Sequence, residues 1–105
     1  MGLTINAPTP VDDTFLSTAI ASSATVILKT YNGDGAVTIA IRGNGTKQVN
    51  IQYSVDGGAF VTLSAANVKS VTSIAFGISL VVQNVNTVAS SQTTSDVSVT
   101  GLVNS

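Results

Sequence analysis

The sequence predicts an all-β protein: an antiparallel β-sandwich or jelly roll of about seven to eight strands with an extended N-terminal arm. Two observations lead to this prediction. Apolar and polar residues alternate over most of the second and third quarters of the chain, and glycine-rich turns separate the alternating stretches. Successive side chains of a strand point to opposite faces, so alternation indicates strands with one buried face.

The clearest stretch is 36–63, which we interpret as three strands joined by glycine turns at 43–45 and 56–58. Glycine reaches the positive φ values that tight hairpins require. The expected arrangement is a β-meander, with each strand paired to the next. The predicted inward residues are Val37, Ile39 and Ile41 in the first strand and Val49, Ile51, Tyr53 and Val55 in the second.

Four further stretches complete the predicted sandwich. Residues 23–31 have apolar side chains on both faces, which is typical of a strand buried on both sides or lying in an interface. Residues 68–72 form a short strand, and 73–85 form the longest, with Gly77 at a bulge or bend. A polar loop over 86–95 precedes a last strand over 96–103.

Residues 1–21 are interpreted as an N-terminal arm and 22–105 as the β-sandwich domain. The assembly residues of this arm are Leu3, Ile5, Pro8 and Pro10. The alternation at Leu3 and Ile5 indicates a short strand, and the two prolines are expected to break pairing, because proline lacks an amide hydrogen. A short helix over 14–20 is an alternative. The arm either folds back on its own sheet or adds a strand to a neighbouring subunit.

The composition excludes several classes of function. The chain is 44% hydrophobic and 9% charged, with four cations, net charge −1, no His and no Cys. A nucleic-acid binder would need a basic patch. Without Cys there is no disulfide or thiolate site, and without His the commonest metal ligand and general base are missing. A surface so poor in charge favours association, so we expect a homo-oligomer.

The candidate sites have simpler structural interpretations. Asp12 and Asp13 are expected in a solvated turn or helix cap, and 32–35 in a hairpin turn, since a calcium loop needs more carboxylates. Residues 43–47 do not match the spacing of a phosphate-binding loop. Tyr31, beside a turn, is a possible ligand platform for a sugar, with packing at a strand edge as the alternative. We expect no catalytic, cofactor or metal site, and therefore no enzyme.

The chain shows no targeting or membrane signal. No cationic segment precedes an apolar one near the start, and no apolar run approaches the roughly 18 residues of a membrane span. Exposed β-proteins can also reach the outside by assembly or lysis. The expected location is an extracellular, virion or spore-surface assembly.

The stretch 53–82 consists of a polar strand, a loop, a short Val-rich strand and a long apolar strand. This layout resembles the small β-sandwich subunits of bacterial spore appendages and small phage head-decoration or fibre proteins. The resemblance implies a jelly-roll-like fold, no conventional export signal and assembly through N-terminal arms. The cysteine-rich connector of the spore-appendage type is missing, which argues against covalent cross-linking.

The sequence therefore predicts a non-enzymatic structural protein that self-assembles through sandwich surfaces and its arm into a fibre or shell-associated assembly. The expected partners are further copies of the chain and a capsid or other surface assembly. A carbohydrate- or surface-binding module, with Tyr31 as its platform, is the alternative.

Overall fold

The computed structural model describes residues 8–42, 49–65 and 70–104, and the side chains of all of these except 64, 65 and 70. These residues form ten strands and no helix. The strands are β1 (Thr9–Phe15), β2 (Ala19–Ile20), β3 (Thr25–Asn32), β4 (Asp34–Arg42), β5 (Val49–Val55), β6 (Val61–Ala65), β7 (Ser70–Phe76), β8 (Ser79–Asn86), β9 (Gln92–Thr93) and β10 (Asp96–Asn104).

Eight of the strands form two four-stranded antiparallel sheets. The β1 sheet has the order β1-β10-β4-β7, and the β3 sheet has the order β3-β8-β5-β6. The short strands β2 and β9 pair at one end. Each sheet takes strands from both halves of the chain, in the order that two interlocked Greek keys produce. The protein is thus a jelly roll, and the predicted fold class is confirmed.

The core lies between the two sheets and draws on both. Its buried apolar residues are Tyr31, Val37, Ile39, Ile41, Ile51, Ile74, Phe76, Leu80, Val82, Val97, Val99 and Val103. Val49 is also buried, beside Ile20 at the end of the sandwich, and Tyr53 and Val55 are half-buried against the core. The inward residues predicted for β4 and β5 are therefore confirmed.

The predicted β-meander is wrong. β4 pairs with β10 and β7, whereas β5 pairs with β8 and β6 in the opposite sheet. Alternation reveals which face of a strand is buried but not which strand lies beside it.

The turn predicted at 43–45 falls outside the described residues. The predicted turn at 56–58 is confirmed, since Asp56 and Gly57 have φ values of 54° and 75° and the Gly58 amide donates to the Val55 carbonyl.

Two of the crossings between the sheets are short corners within the described residues. Gly33, with φ 105°, separates β3 from β4, so the hairpin predicted over 32–35 is instead a crossing between sheets. Gly77 and Ile78 form the second corner, between β7 and β8. The bend predicted at Gly77 is confirmed. The break predicted between 72 and 73 is wrong, because β7 is continuous there, and Ile78 is exposed at the corner.

The N-terminal residues that the structure describes fold back on their own chain. β1 pairs along its whole length with β10, and this pairing includes Pro10, opposite Leu102. The expectation that Pro10 breaks pairing is wrong, because β1 is the edge of its sheet, where a missing amide hydrogen is tolerated. The alternative helix over 14–20 is wrong as well. Pro8 is exposed, while Leu3 and Ile5 lie outside the part of the chain that the structure describes.

Asp56 fastens one corner to a neighbouring turn. Its carboxylate accepts hydrogen bonds from the amides of Ile78 at 2.6 Å, Ser79 at 3.1 Å and Gly77 at 3.1 Å. These backbone donors, led by Ile78, lower the pKa of the Asp56 carboxyl, because they stabilise its charged form. The β5–β6 turn and the β7–β8 corner are therefore held together by one ionised side chain.

This arrangement predicts a dependence of stability on pH. A lowered pKa in the folded state stabilises the fold above the ordinary carboxyl pKa of about 4, and the contribution disappears as the pH falls through the folded value. We expect Asp56→Asn to be less stable than the unaltered protein at pH 7, with the two stability curves converging in acid. Urea unfolding between pH 7 and pH 2.5 measures both curves. Asp12→Asn, at an exposed position of β1, is the control and should follow the unaltered protein; a constant offset for Asp56→Asn at all pH values would contradict the assignment.

Candidate assembly surfaces

Each sheet has two edge strands. Of these four strands, β3 has the most exposed large apolar side chains among those described. Among the residues that the structure describes, its backbone pairs with β8 and with no second strand. Val26 is 46% exposed and the adjacent Ile27 is 59% exposed, so apolar groups stand on both faces of the edge. An unpaired strand edge is a ready template for another strand.

The prediction that residues 23–31 are buried on both sides is wrong for the single chain, since β3 lies at an edge. The register of β3 against β8 shifts between Ile27 and Lys29, which leaves Leu28 at a bulge. The bulge explains the run of three apolar residues, because Leu28 packs against the core while its neighbours stay exposed. The other interpretation, a strand lying in an interface, stays a prediction.

The edges β1 and β3 meet along one side of the sandwich through three side chains. The Tyr31 hydroxyl donates to Asp13 Oδ2 at 2.7 Å, and Lys29 Nζ lies 3.5 Å from the same oxygen. Lys29 Nζ also lies 5.6 Å from the centre of the Tyr31 ring. These contacts close the sandwich between its two sheets, beneath an open groove of about 350 Å³ that both edges line.

The Tyr31 side chain is 5% exposed and belongs to the core. Burial, followed by the hydrogen bond and the negative charge of Asp13, raises the pKa of the Tyr31 hydroxyl, because all three disfavour the phenolate. A buried ring presents no face to a sugar. The structure thus places the proposed ligand platform in the interior, where its hydroxyl anchors β3 to β1.

The other candidate residues are dispersed. Asp12 is exposed within β1 rather than in a turn, and Asp34 begins β4, with an oxygen 3.4 Å from the Asn104 amide nitrogen. Residues 43–47 are not among those described. Within the described ranges no three His, Cys, Asp or Glu side chains form a group that could hold a metal ion, and no helix is long and apolar enough to cross a membrane.

The fold defines a class, the two-sheet jelly rolls, and comparison with solved structures finds chains of similar structure. A protein of the Bacillus endospore appendages, which form a family of disulfide-linked pili, aligns over 100% of this chain and 98% of its own, with a TM-score of 0.58 and 16% identity. The Yersinia pseudotuberculosis-derived mitogen aligns over 91% of this chain and 88% of its own, with a TM-score of 0.47 and 12% identity. At such identities the first likeness shows the fold alone, and the second is too distant to carry an argument.

No protein-family model matches the chain, and no curated protein matches its sequence.

Proposed function

We propose that this protein is a non-enzymatic structural subunit that self-assembles through its sandwich surfaces and N-terminal residues into a fibre or shell-associated assembly at a virion or spore surface. The observation that carries the proposal is the β3 edge, where Val26 and Ile27 are exposed beside a backbone that no other described strand pairs with. Soluble proteins usually protect such an edge with charge, proline or a covering segment. Here the nearest charge, Lys29, is turned toward Asp13.

Two further facts support an assembling subunit. The chain carries 9% charged residues, so little electrostatic repulsion opposes contact between copies. The jelly-roll fold is shared with a protein whose appendages form pili. The pili of that neighbour are disulfide-linked, whereas this chain has no Cys, so its copies would associate through noncovalent contacts.

The test combines one edge variant with one truncation. Ile27→Lys places a charge on the exposed β3 edge, and removal of residues 2–7 takes away the first part of the proposed arm, with Leu3 and Ile5, while leaving β1, which begins at Thr9, complete. We expect each change to reduce assembly at least about tenfold, since a lysine on an edge opposes strand addition. Light scattering and negative-stain images across concentration measure assembly, and circular dichroism verifies the β-rich fold.

Ile78→Lys is the matched control. Ile78 is an exposed isoleucine too, but it lies at the corner between β7 and β8 rather than on a strand edge. Assembly should therefore survive this change. Undiminished assembly of the Ile27→Lys chain would overturn the role of the edge, and undiminished assembly of the truncated chain would overturn the role of residues 2–7. A protein that stays monomeric at every concentration would overturn the structural function itself.

A further inference from the structure

The outer face of the β1 sheet is an exposed layer of mostly small side chains. Its strands alternate, and since Val37, Ile39, Val97 and Val99 point into the core, their neighbours point outward. The pairing register arranges the outward residues in four rows: Pro10-Leu102-Ala36-Ala75, Asp12-Thr100-Thr38-Ser73, Thr14-Ser98-Ala40-Val71 and Asp96-Arg42. Only Leu102, 50% exposed, and Val71, 64% exposed, are large apolar side chains in these rows.

Two shallow hollows open on the same face, where most of the outward side chains are small. One, of about 250 Å³, lies at the end of the sheet that carries Thr14, Ala40 and Arg42. The other, of about 320 Å³, lies toward the opposite end and is lined by Ala36 and its neighbours on β7 and β10. The four rows thus have two apolar projections and two hollows, and Leu16, 71% exposed, adds an apolar side chain at the first hollow.

A pair of opposite charges lies in the last row. Arg42 and Asp96 are register partners on β4 and β10. Asp96 uses one carboxylate oxygen to accept the Ser17 amide at 2.7 Å, and Arg42 forms no ion pair with any carboxylate of the described residues. Arg42 is exposed beside the first hollow, so its guanidinium is available to a carboxylate of another molecule.

We propose that this face is the contact surface of a two-fold symmetric dimer of the chain. A two-fold axis parallel to the strands, between β4 and β10, exchanges β4 with β10 and β1 with β7 while keeping each row in place. Leu102 then lies over Ala36 of the second copy, within the larger hollow, and Val71 lies over Thr14 of the second copy, within the smaller one. The same operation puts Arg42 opposite Asp96 of the second copy, twice. The apolar side chains of each copy enter hollows of the other, and Arg42 of each copy lies opposite Asp96 of the other. The face is therefore complementary to itself.

The area of the face sets the strength of this contact. Four strands about 4.8 Å apart and about seven residues long at 3.3 Å per residue present roughly 450 Å² per copy, or roughly 900 Å² for two. Specific interfaces begin near about 1,000 Å² in total, so the dimer is weak and reversible. Two sheets stacked face to face in this way keep their strands nearly aligned, as the sheets of a sandwich do.

The test introduces a charge at the centre of the face of the full-length chain. Ala40→Lys adds two cations and two long side chains to the dimer, beside the axis, and Arg42→Asp replaces two attractive charge pairs by two repulsive ones. We expect either variant to raise the dimer dissociation constant about tenfold or more. Native mass spectrometry and sedimentation velocity across concentration measure the fraction of two-copy species, and thermal unfolding verifies that each variant folds.

Thr62→Lys is the control, because Thr62 is exposed on the β3 sheet, away from the proposed contact. It should leave the two-copy fraction unchanged. An unchanged two-copy fraction in Ala40→Lys would overturn the dimer, as would an equal loss in Thr62→Lys. The contact uses neither the β3 edge nor residues 2–7, so Ile27→Lys and the truncated chain should keep the two-copy species even where they lose longer assemblies.

Discussion

Gly101→Ala should cost about 3 kcal/mol or more of the free energy of unfolding. A Cβ atom at Gly101 would lie 2.2 Å from the Ala36 carbonyl oxygen and 2.7 Å from the Val37 Cα. Both are backbone atoms of the paired strand β4, so they cannot turn aside as a flexible side chain could. The φ of Gly101 is 155°, a backbone angle that L-residues with a side chain rarely adopt. Relief of the contact requires β10 and β4 to separate in the middle of the β1 sheet.

Urea unfolding of the two proteins measures the difference directly, and Gly77→Ala is the matched control. A Cβ at Gly77 meets its nearest atom, an Asp56 carboxylate oxygen, at 3.5 Å, which is ordinary contact. The Gly77 amide keeps its bonds to Asp56 in this variant, so its stability should change by no more than about 0.5 kcal/mol. A Gly101→Ala protein as stable as Gly77→Ala would show that the close approach of β10 to β4 is wrong.

Sequence reasoning predicted the fold class and much of the core because both follow from local patterns. The alternation at Val37, Ile39 and Ile41 is visible within a few residues, and it identifies the buried face. Strand pairing is different, because β4 pairs with β10 at Ile39 and Val99, far apart in the chain. Nothing in the local pattern of either strand selects the other as its neighbour, so the meander was the simplest but wrong arrangement.

The candidate surfaces were also predictable only where a local sequence pattern marks them. The run of apolar residues at 26–28 marked β3 as unusual, and the structure places that strand at a sheet edge with two of the three exposed. The burial of Tyr31 depends on Asp13, 18 residues earlier, and on the meeting of two sheet edges. The pairing of Arg42 with Asp96 likewise exists only because β4 and β10 are neighbours. Contacts between strands distant in sequence had no signal that a single sequence could supply.

The second large effect concerns two asparagines on the inner face of β8. Asn86 is 1% exposed, and its amide donates to the carbonyls of Ala21 at 3.0 Å and Ser90 at 2.9 Å. Its Oδ1 accepts the Val88 amide at 3.0 Å. One side chain therefore satisfies the backbone of the segment before β3 and of the loop after β8.

Asn84 lies two residues earlier on the same face and is 3% exposed, yet its Oδ1 is buried without a hydrogen-bond partner. Asn86→Leu should cost about 3 kcal/mol or more, because it leaves several buried or partly buried backbone groups without a hydrogen-bond partner, at about 1–3 kcal/mol each. The free energy of unfolding of Asn84→Leu should stay within about 1 kcal/mol of that of the unaltered protein or exceed it. The substitution removes a buried oxygen that makes no hydrogen bond in the folded state.

The pair is its own control, since residue type, strand, face and burial are matched and only the hydrogen bonding differs. Urea unfolding of the two variants at pH 7 gives the two free energies. Equal losses would mean that leucine is rejected for its shape at both positions and that hydrogen bonding does not decide the cost. A large loss for Asn86→Leu with little or no loss for Asn84→Leu would show that stability depends on the hydrogen bonds of Asn86 at the end of β8. It would also show that the Asn84 amide, whose oxygen has no partner, contributes little.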